Sequence, residues 1–192
     1  MIKKEYFLDR DFGPEAELTE CPWSPNLAPA AAFSAAFDAE RGLRFLLRSM
    51  AAPSRAVNTE PDSSVWEDSC LECFFSFDGK NYVNLEANAK GALRAAIGPD
   101  RQRRWFLQEL GVPMPRAEAR VGEDEWEVLF TVPTETVRAL FRMTPGSGCR
   151  FKANFYSCGD ATPAPHYAAW NPVETEKPDF HRPEYFGTLL IK

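Results

Sequence analysis

Histidine and cysteine are scarce in this sequence, with two of the first and five of the second in 192 residues. An odd number of cysteines suits a reducing compartment better than a disulfide framework. His166 and His181 lack the i, i+4 helical spacing of a metalloprotease. For His181, inside FHRPEYFG, the expected role is a fixed loop packed on a sheet. No GxSxG elbow, P-loop or dinucleotide fingerprint occurs, and the PGSG at 145–148 reads as a turn. No apolar run approaches the roughly 20 residues needed to span a bilayer. The opening MIKKEYFLDRDFG has two lysines but no apolar stretch before Asp9, so no signal peptide is visible. The expected location is the cytoplasm; a chain whose export signal had been removed would read the same and be secreted. Cationic charge is short too. With 22 Lys+Arg against 28 Asp+Glu the net charge is −6, which gives no general attraction to nucleic acid or an anionic membrane.

What is present is hydrophobic and aromatic. The chain is 44% hydrophobic and 13% aromatic, enough for a substantial core of packed sheets, while 16 prolines argue against long helices. No repeat or linker divides it, so residues 1–192 are expected to form one domain. Alternation places strands at residues 4–8, 30–37, 43–50, 91–98, 116–120, 125–132, 149–157 and 185–191. The stretch up to Pro29 reads as an extended covering loop holding Trp23. One or two helical turns are expected from Pro99 through PDRQRRWFLQEL, where Arg101, Arg103 and Arg104 cluster. A second helix starts at Thr134, which serves as its cap, with Val137, Leu140 and Phe141 on one face. The fold class is therefore mainly β: an antiparallel β-sandwich with one or two short helices.

The chain is organised around VWEDSCLECFFSFDGKNYVNLEANA, from Val65 to Ala89. It reads as two strands joined at Asp78-Gly79. A three-residue loop of Phe77, Asp78 and Gly79 would pair Leu71 with Leu85 and Glu72 with Asn84, keeping apolar and polar faces apart. Gly79 supplies the left-handed conformation that such a loop requires. One face goes to a core. The other presents Glu72, Phe74, Tyr82, Asn84 and Glu86, where function is sought.

Several groups on this face have both a functional and a structural reading. Cys70 and Cys73 form a CxxC, but residues three apart on a strand point to opposite faces, so the pair is structural and no metal site is expected. Cys149 and Cys158 meet the same parity objection. Glu72 and Glu86 share the polar face and would suit glycoside hydrolysis if suitably separated; the alternative is pairing with Arg44, Arg150 or Lys152 on neighbouring strands. Trp66 and Trp170 fall outside obvious core positions. Indoles beside polar strand faces stack on sugar rings, with Glu and Asn serving the hydroxyls; alternatively, each closes one end of the sandwich.

VWEDSCLECFFS, YVNLEANAKG, FKANFYSCGD and AWNPVETEKPDFHRPEYFG, in this order, resemble the carbohydrate-binding module family 9-like proteins, from about Trp66 to the C-terminus. The resemblance implies a β-sandwich of the DOMON-like, immunoglobulin-like or jelly-roll type. It further implies non-catalytic binding of a mono- or oligosaccharide and no cofactor. By motif, Trp66 and Trp170 look like the family's stacking tryptophans, Glu72 like its sugar-binding glutamate and Asn84 like a polar strand position. An arginine of the family falls nearest Tyr82. Glu86 and Asn154 complete the candidate ligand-binding set on the polar face. No acidic loop matches the family's calcium sites. The rival readings are a haem-binding, electron-transfer domain, which would need Met, His or Lys axial ligands, and a hydrolase using Glu72 and Glu86.

Overall fold

A computed structural model describes residues 3–24 and 28–192. Residues 25–27 of the expected covering loop lie outside the described residues. In chain order the strands are β1 (Glu5–Leu8), β2 (Ala16–Glu17), β3 (Ala31–Asp38), β4 (Gly42–Ser49), β5 (Cys70–Ser76), β6 (Tyr82–Asn88), β7 (Leu93–Gly98), β8 (Trp105–Phe106), β9 (Arg116–Val121) and β10 (Trp126–Val132). After the helix α1 (Thr134–Phe141) come β11 (Arg150–Cys158), β12 (Tyr167–Ala169) and β13 (Gly187–Ile191). They build two sheets. The larger has the order β1-β13-β11-β5-β6-β7-β8, with β12 on the same edge of β11 as β13; the smaller has the order β2-β3-β4-β10-β9. Neighbours are antiparallel except β1 and β13, which pair in parallel. The β-sandwich read from the sequence is the observed fold.

Period-two alternation explains why the sheets face each other. Leu43, Phe45 and Leu47 of β4 and Trp126, Val128, Phe130 and Val132 of β10 meet Leu71, Cys73 and Phe75 of β5 and Phe151, Ala153 and Phe155 of β11 in one buried cluster. Phe33 stacks on Phe155 with ring centroids 3.6 Å apart, and Phe45 lies 5.8 Å from Phe75. The smaller sheet ends in β9, whose alternating Arg116, Glu118 and Arg120 keep an exposed edge from pairing further.

Three local expectations change. The hairpin connection has five residues, since Phe75 pairs with Val83 and Glu72 pairs with Glu86, not with Asn84. Polar groups inside the loop hold it: Asp78 Oδ1 accepts from the amides of Lys80 and Asn81 at 2.8 and 2.9 Å, and Ser76 Oγ donates to the Asn81 carbonyl at 2.6 Å. Gly79 does take the positive φ, at 66°. Because the register moves by two residues, each face keeps its side chains. The helical turns expected from Pro99 shrink to the edge strand β8 and one 3₁₀ turn at Leu107–Leu110. Thr134 does not cap α1; its hydroxyl donates to the Ala39 carbonyl at 3.2 Å.

Candidate functional site

The outer face of the larger sheet is covered. The chain between β12 and β13 folds back over it, so Phe74, Tyr82, Tyr156, Phe180 and Phe186 form a second buried layer. Phe180 stacks on Tyr156 at 4.0 Å, and Trp23 packs against both Phe180 and Tyr167 from outside. His181 packs on Phe74 at 4.9 Å and shares a 2.9 Å hydrogen bond with the Tyr82 hydroxyl through Nδ1. Burial, with Arg104, Arg101 and Arg94 nearby, pushes its pKa down to about 3, so the ring is neutral at physiological pH. This is the packed-loop role expected for His181.

The cover is incomplete. It leaves a cleft on the outer face, open to solvent on one side. Strand register builds the floor. Tyr156, Glu72, Glu86 and Arg94 follow one another across β11, β5, β6 and β7, and Asn154, Phe74, Asn84 and Ala96 form the adjacent row. Glu72, Asn84, Glu86, Arg94 and Ala96 line the cleft. Trp66, on a 3₁₀ turn at Val65–Glu67, closes one side. That turn is anchored by Asp68, which is fully buried and accepts hydrogen bonds from the Val57 and Asn58 amides and the Asn58 and Asn88 side chains, and is paired with Arg55. Burial would raise the Asp68 pKa, but those donors hold it below the usual carboxylate range.

The floor carboxyls are not ion-paired to Arg44, Arg150 or Lys152. The Cys158 thiol donates to Glu72 Oε1 at 3.0 Å, and Asn84 Nδ2 donates to Glu86 Oε1 at 2.7 Å. Arg150 goes to Glu5, Lys152 to Thr188 and Arg44 to the Arg10 carbonyl. Burial, with Glu86 next to it, raises the Glu72 pKa well above the usual carboxylate range. Burial raises that of Glu86 as well, against the pull of Arg94. Desolvation dominates both, so the pair resists double ionisation.

Arginines frame the opening. Arg94 lies with its guanidinium 4.8 Å from the ring centres of both Trp66 and Phe106 and donates to the Asp62 carbonyl at 2.6 Å. Arg104 sits 4.2 Å over Tyr82, donates to the carbonyls of Gly98, Tyr82 and Ala96, and bonds Asn84 Oδ1. Arg101 reaches across to Asp179 at 3.6 Å. Asp160 and Tyr167 complete the rim; burial, then Asp160, pushes the Tyr167 pKa up to about 12.

Of the seven residues named from the sequence, the cleft gathers Trp66, Glu72, Asn84 and Glu86. Tyr82 lies beneath the lining, tying His181 to Arg104. Asn154 is fully buried and structural: its Oδ1 accepts from the Asn171 amide at 2.9 Å and its Nδ2 donates to the Asn171 carbonyl at 3.1 Å. Trp170 is on the other side of the sheet, packed on Phe33 at 5.1 Å and Phe155 at 5.9 Å in the inter-sheet core. The pairing of its amide to the Phe155 carbonyl turns the chain inward at that point, so no second tryptophan wall faces Trp66. The aromatic surface comes instead from Tyr167 and Phe180. Sequence reasoning missed these two, along with Asp160, Asp179 and the arginines as site groups. Arg94 alone had a local signal, as the outward residue between inward Leu93 and Ala95.

A family model described as carbohydrate-binding family 9 matches residues 16–191. The chain belongs to carbohydrate-binding family 9. A Bacteroides uniformis crystal structure, provisionally named a carbohydrate-binding protein, is similar over 100% of both chains, with 28% identity and a TM-score of 0.78. Two structures of a family 9 module from Caldicellulosiruptor kristjanssonii, in complex with glucose and with cellotriose, are each 12% identical. They cover 98% of this chain and 96% and 94% of their own, with TM-scores of 0.61 and 0.58. At that identity they show the family 9 sandwich alone. No match was found among curated proteins.

Proposed function

We propose that this family 9 protein binds a small saccharide, without catalysis, in the cleft on the outer face of its larger sheet. The observation that carries the reading is one recess in which a tryptophan edge meets a floor of hydrogen-bonding side chains. Trp66, Tyr167 and Phe180 supply apolar surface for the faces of a pyranose ring. Asn84, Glu72 and Glu86 serve its hydroxyls from below, and Arg94, Arg101 and Asp179 from the rim. The Caldicellulosiruptor modules were solved with glucose and cellotriose, which makes glucose and its β-linked oligomers the first ligands to try.

The floor carboxyls favour binding over hydrolysis. A glycosidase needs one ionised and one protonated carboxyl flanking the scissile bond. Here Glu72 and Glu86 are direct cross-strand neighbours in one floor, so both lie beneath a bound ring and do not flank it, and Glu72 Oε1 already accepts from the Cys158 thiol.

Calorimetric and tryptophan-fluorescence titration with a panel of mono- and oligosaccharides tests the reading. At least one sugar is expected to saturate a single site. Trp66→Ala and Glu86→Gln should each weaken it at least about tenfold, the cost of a hydrogen bond or stacking contact of roughly 1.4 kcal/mol. A panel in which no sugar binds would overturn the function, full affinity in both variants would overturn the site, and product release from aryl glycosides would overturn the absence of catalysis.

A further inference from the structure

Parity separates Cys70 from Cys73, and the structure agrees: the Cys73 side chain lies in the inter-sheet core. It also brings Cys70 to a different cysteine. In the antiparallel pairing of β5 with β11, Cys70 stands directly opposite Cys158, both on the outer face. Glu72, two residues along β5, points the same way. Both Sγ atoms and a Glu72 carboxylate oxygen lie within 4.8 Å of one another, and all three side chains are buried.

We propose that Cys70, Cys158 and Glu72 form a binding site for a thiophilic d10 dication of the zinc(II) or cadmium(II) kind. Thiolates bind zinc at about 2.3 Å and carboxylate oxygens at about 2.0–2.2 Å, which in a tetrahedron sets the ligand atoms roughly 3.5–3.8 Å apart. The three atoms lie within 4.8 Å of one another, with the Cys158 sulfur 3.0 Å from Glu72 Oε1, so shifts on the order of an ångström would bring them to that spacing. Two thiolates and an oxygen are a donor set suited to such ions. Glu72 and Cys158 both line the cleft while Cys70 lies deeper, so a fourth position opens towards the cleft, which is also the route of entry. The weak contacts that the thiols make now, from Cys158 to the Trp66 carbonyl at 3.7 Å and from Cys70 to the Leu71 carbonyl at 3.9 Å, are the ones a metal would replace.

Binding releases the two thiol protons, and the proton that Glu72 holds, to solvent. Two thiolates and a carboxylate around a dication leave one net negative charge, which Arg101 faces across the cleft. The Glu72 oxygen then trades its thiol hydrogen bond for the metal. Among the described cysteines no other pair is held in this way: Cys73 and Cys149 pack against the inter-sheet core, as does Cys21.

The test is zinc(II) titration of the fully reduced protein in competition with a chromophoric chelator. One equivalent should bind. Cys158→Ser and Cys70→Ser should each lower the affinity by roughly tenfold or more, an effect at least as large as the loss of an outer-shell partner, whereas Cys21→Ser and Cys149→Ser should leave it unchanged. Zinc-edge anomalous diffraction from soaked wild-type crystals should place a peak about 2.3 Å from both sulfurs, and this readout survives if a cysteine variant fails to fold. Failure of the folded wild type to bind zinc would overturn the proposal. So would a peak elsewhere, or affinity indifferent to Cys158→Ser. None of these measurements involves a sugar, so a negative result leaves saccharide binding to stand or fall by itself.

Discussion

At β5 and β6 the two faces of the larger sheet are equally buried and built from different chemistry. On β5 and β6 the inner face presents Leu71, Cys73, Phe75, Val83, Leu85 and Ala87, and the outer face Glu72, Phe74, Tyr82, Asn84 and Glu86, with none above 3% exposed. The inner face needs only shape, because apolar groups are satisfied by contact. The outer face must supply a partner for each polar atom it hides. Those partners come from Cys158, Arg104 and His181, and only where the cover stops does polar surface remain for a ligand. A polar strand face can therefore be a second core and a site at once.

Neighbouring residues on one strand break this comparison most directly. Phe74 and Phe75 are both fully buried but point to opposite faces. If the outer layer is a packed core, Phe74→Ala should cost about as much as Phe75→Ala, roughly 3–5 kcal/mol each by urea unfolding. A cost for Phe74→Ala below about 1 kcal/mol, as at a surface position, would reduce the cover to a loosely held flap. The polar anchor of that cover comes next. Asn154→Ala strands the Asn171 amide and carbonyl and should cost about 1–3 kcal/mol, measured the same way; an unchanged midpoint would mean that the loop is held elsewhere.

The smallest effect is a change of slope. Glu72 keeps its proton in the folded state to a higher pH than in the unfolded chain, where the carboxyl titrates near pH 4.3. Above that pH the unfolded state binds fewer protons, so unfolding becomes easier as pH rises. The stabilisation is present in full below about pH 4.3 and lost on the way up to the folded pKa. Stability of Glu72→Gln relative to wild type should therefore increase between pH 4.5 and 8, conditions chosen around the unfolded value of about 4.3. Asp68 has the opposite sign. Its lowered pKa gives stability above about pH 3.9 that is lost on acidification, so Asp68→Asn should differ most from wild type at neutral pH. Parallel pH curves for wild type and Glu72→Gln would show that the carboxyl is ionised in the fold.

The strands and their faces were legible because burial on a pleated sheet follows a period of two. That pattern survived an error in the loop: the connection has five residues where three were expected, and a shift of two leaves every side chain on its own face. The pairing of Glu72 did not survive it, since opposition across strands depends on the absolute register. The cleft was half legible. Glu72, Asn84, Glu86 and Trp66 could be named from alternation and resemblance, but Trp170 could not be assigned to a side of the sheet, because outside a regular strand there is no period to read.

Alternation along the chain is enough to say which side chains share a face, since that depends only on near neighbours. That Cys70 meets Cys158, that Arg94, Arg101 and Arg104 converge, and that Trp170 turns inward emerges from the folded arrangement alone. The first and last of these depend on segments tens of residues apart being brought together, and the free energy that does so is the burial of both sheet faces at once, which no local pattern records.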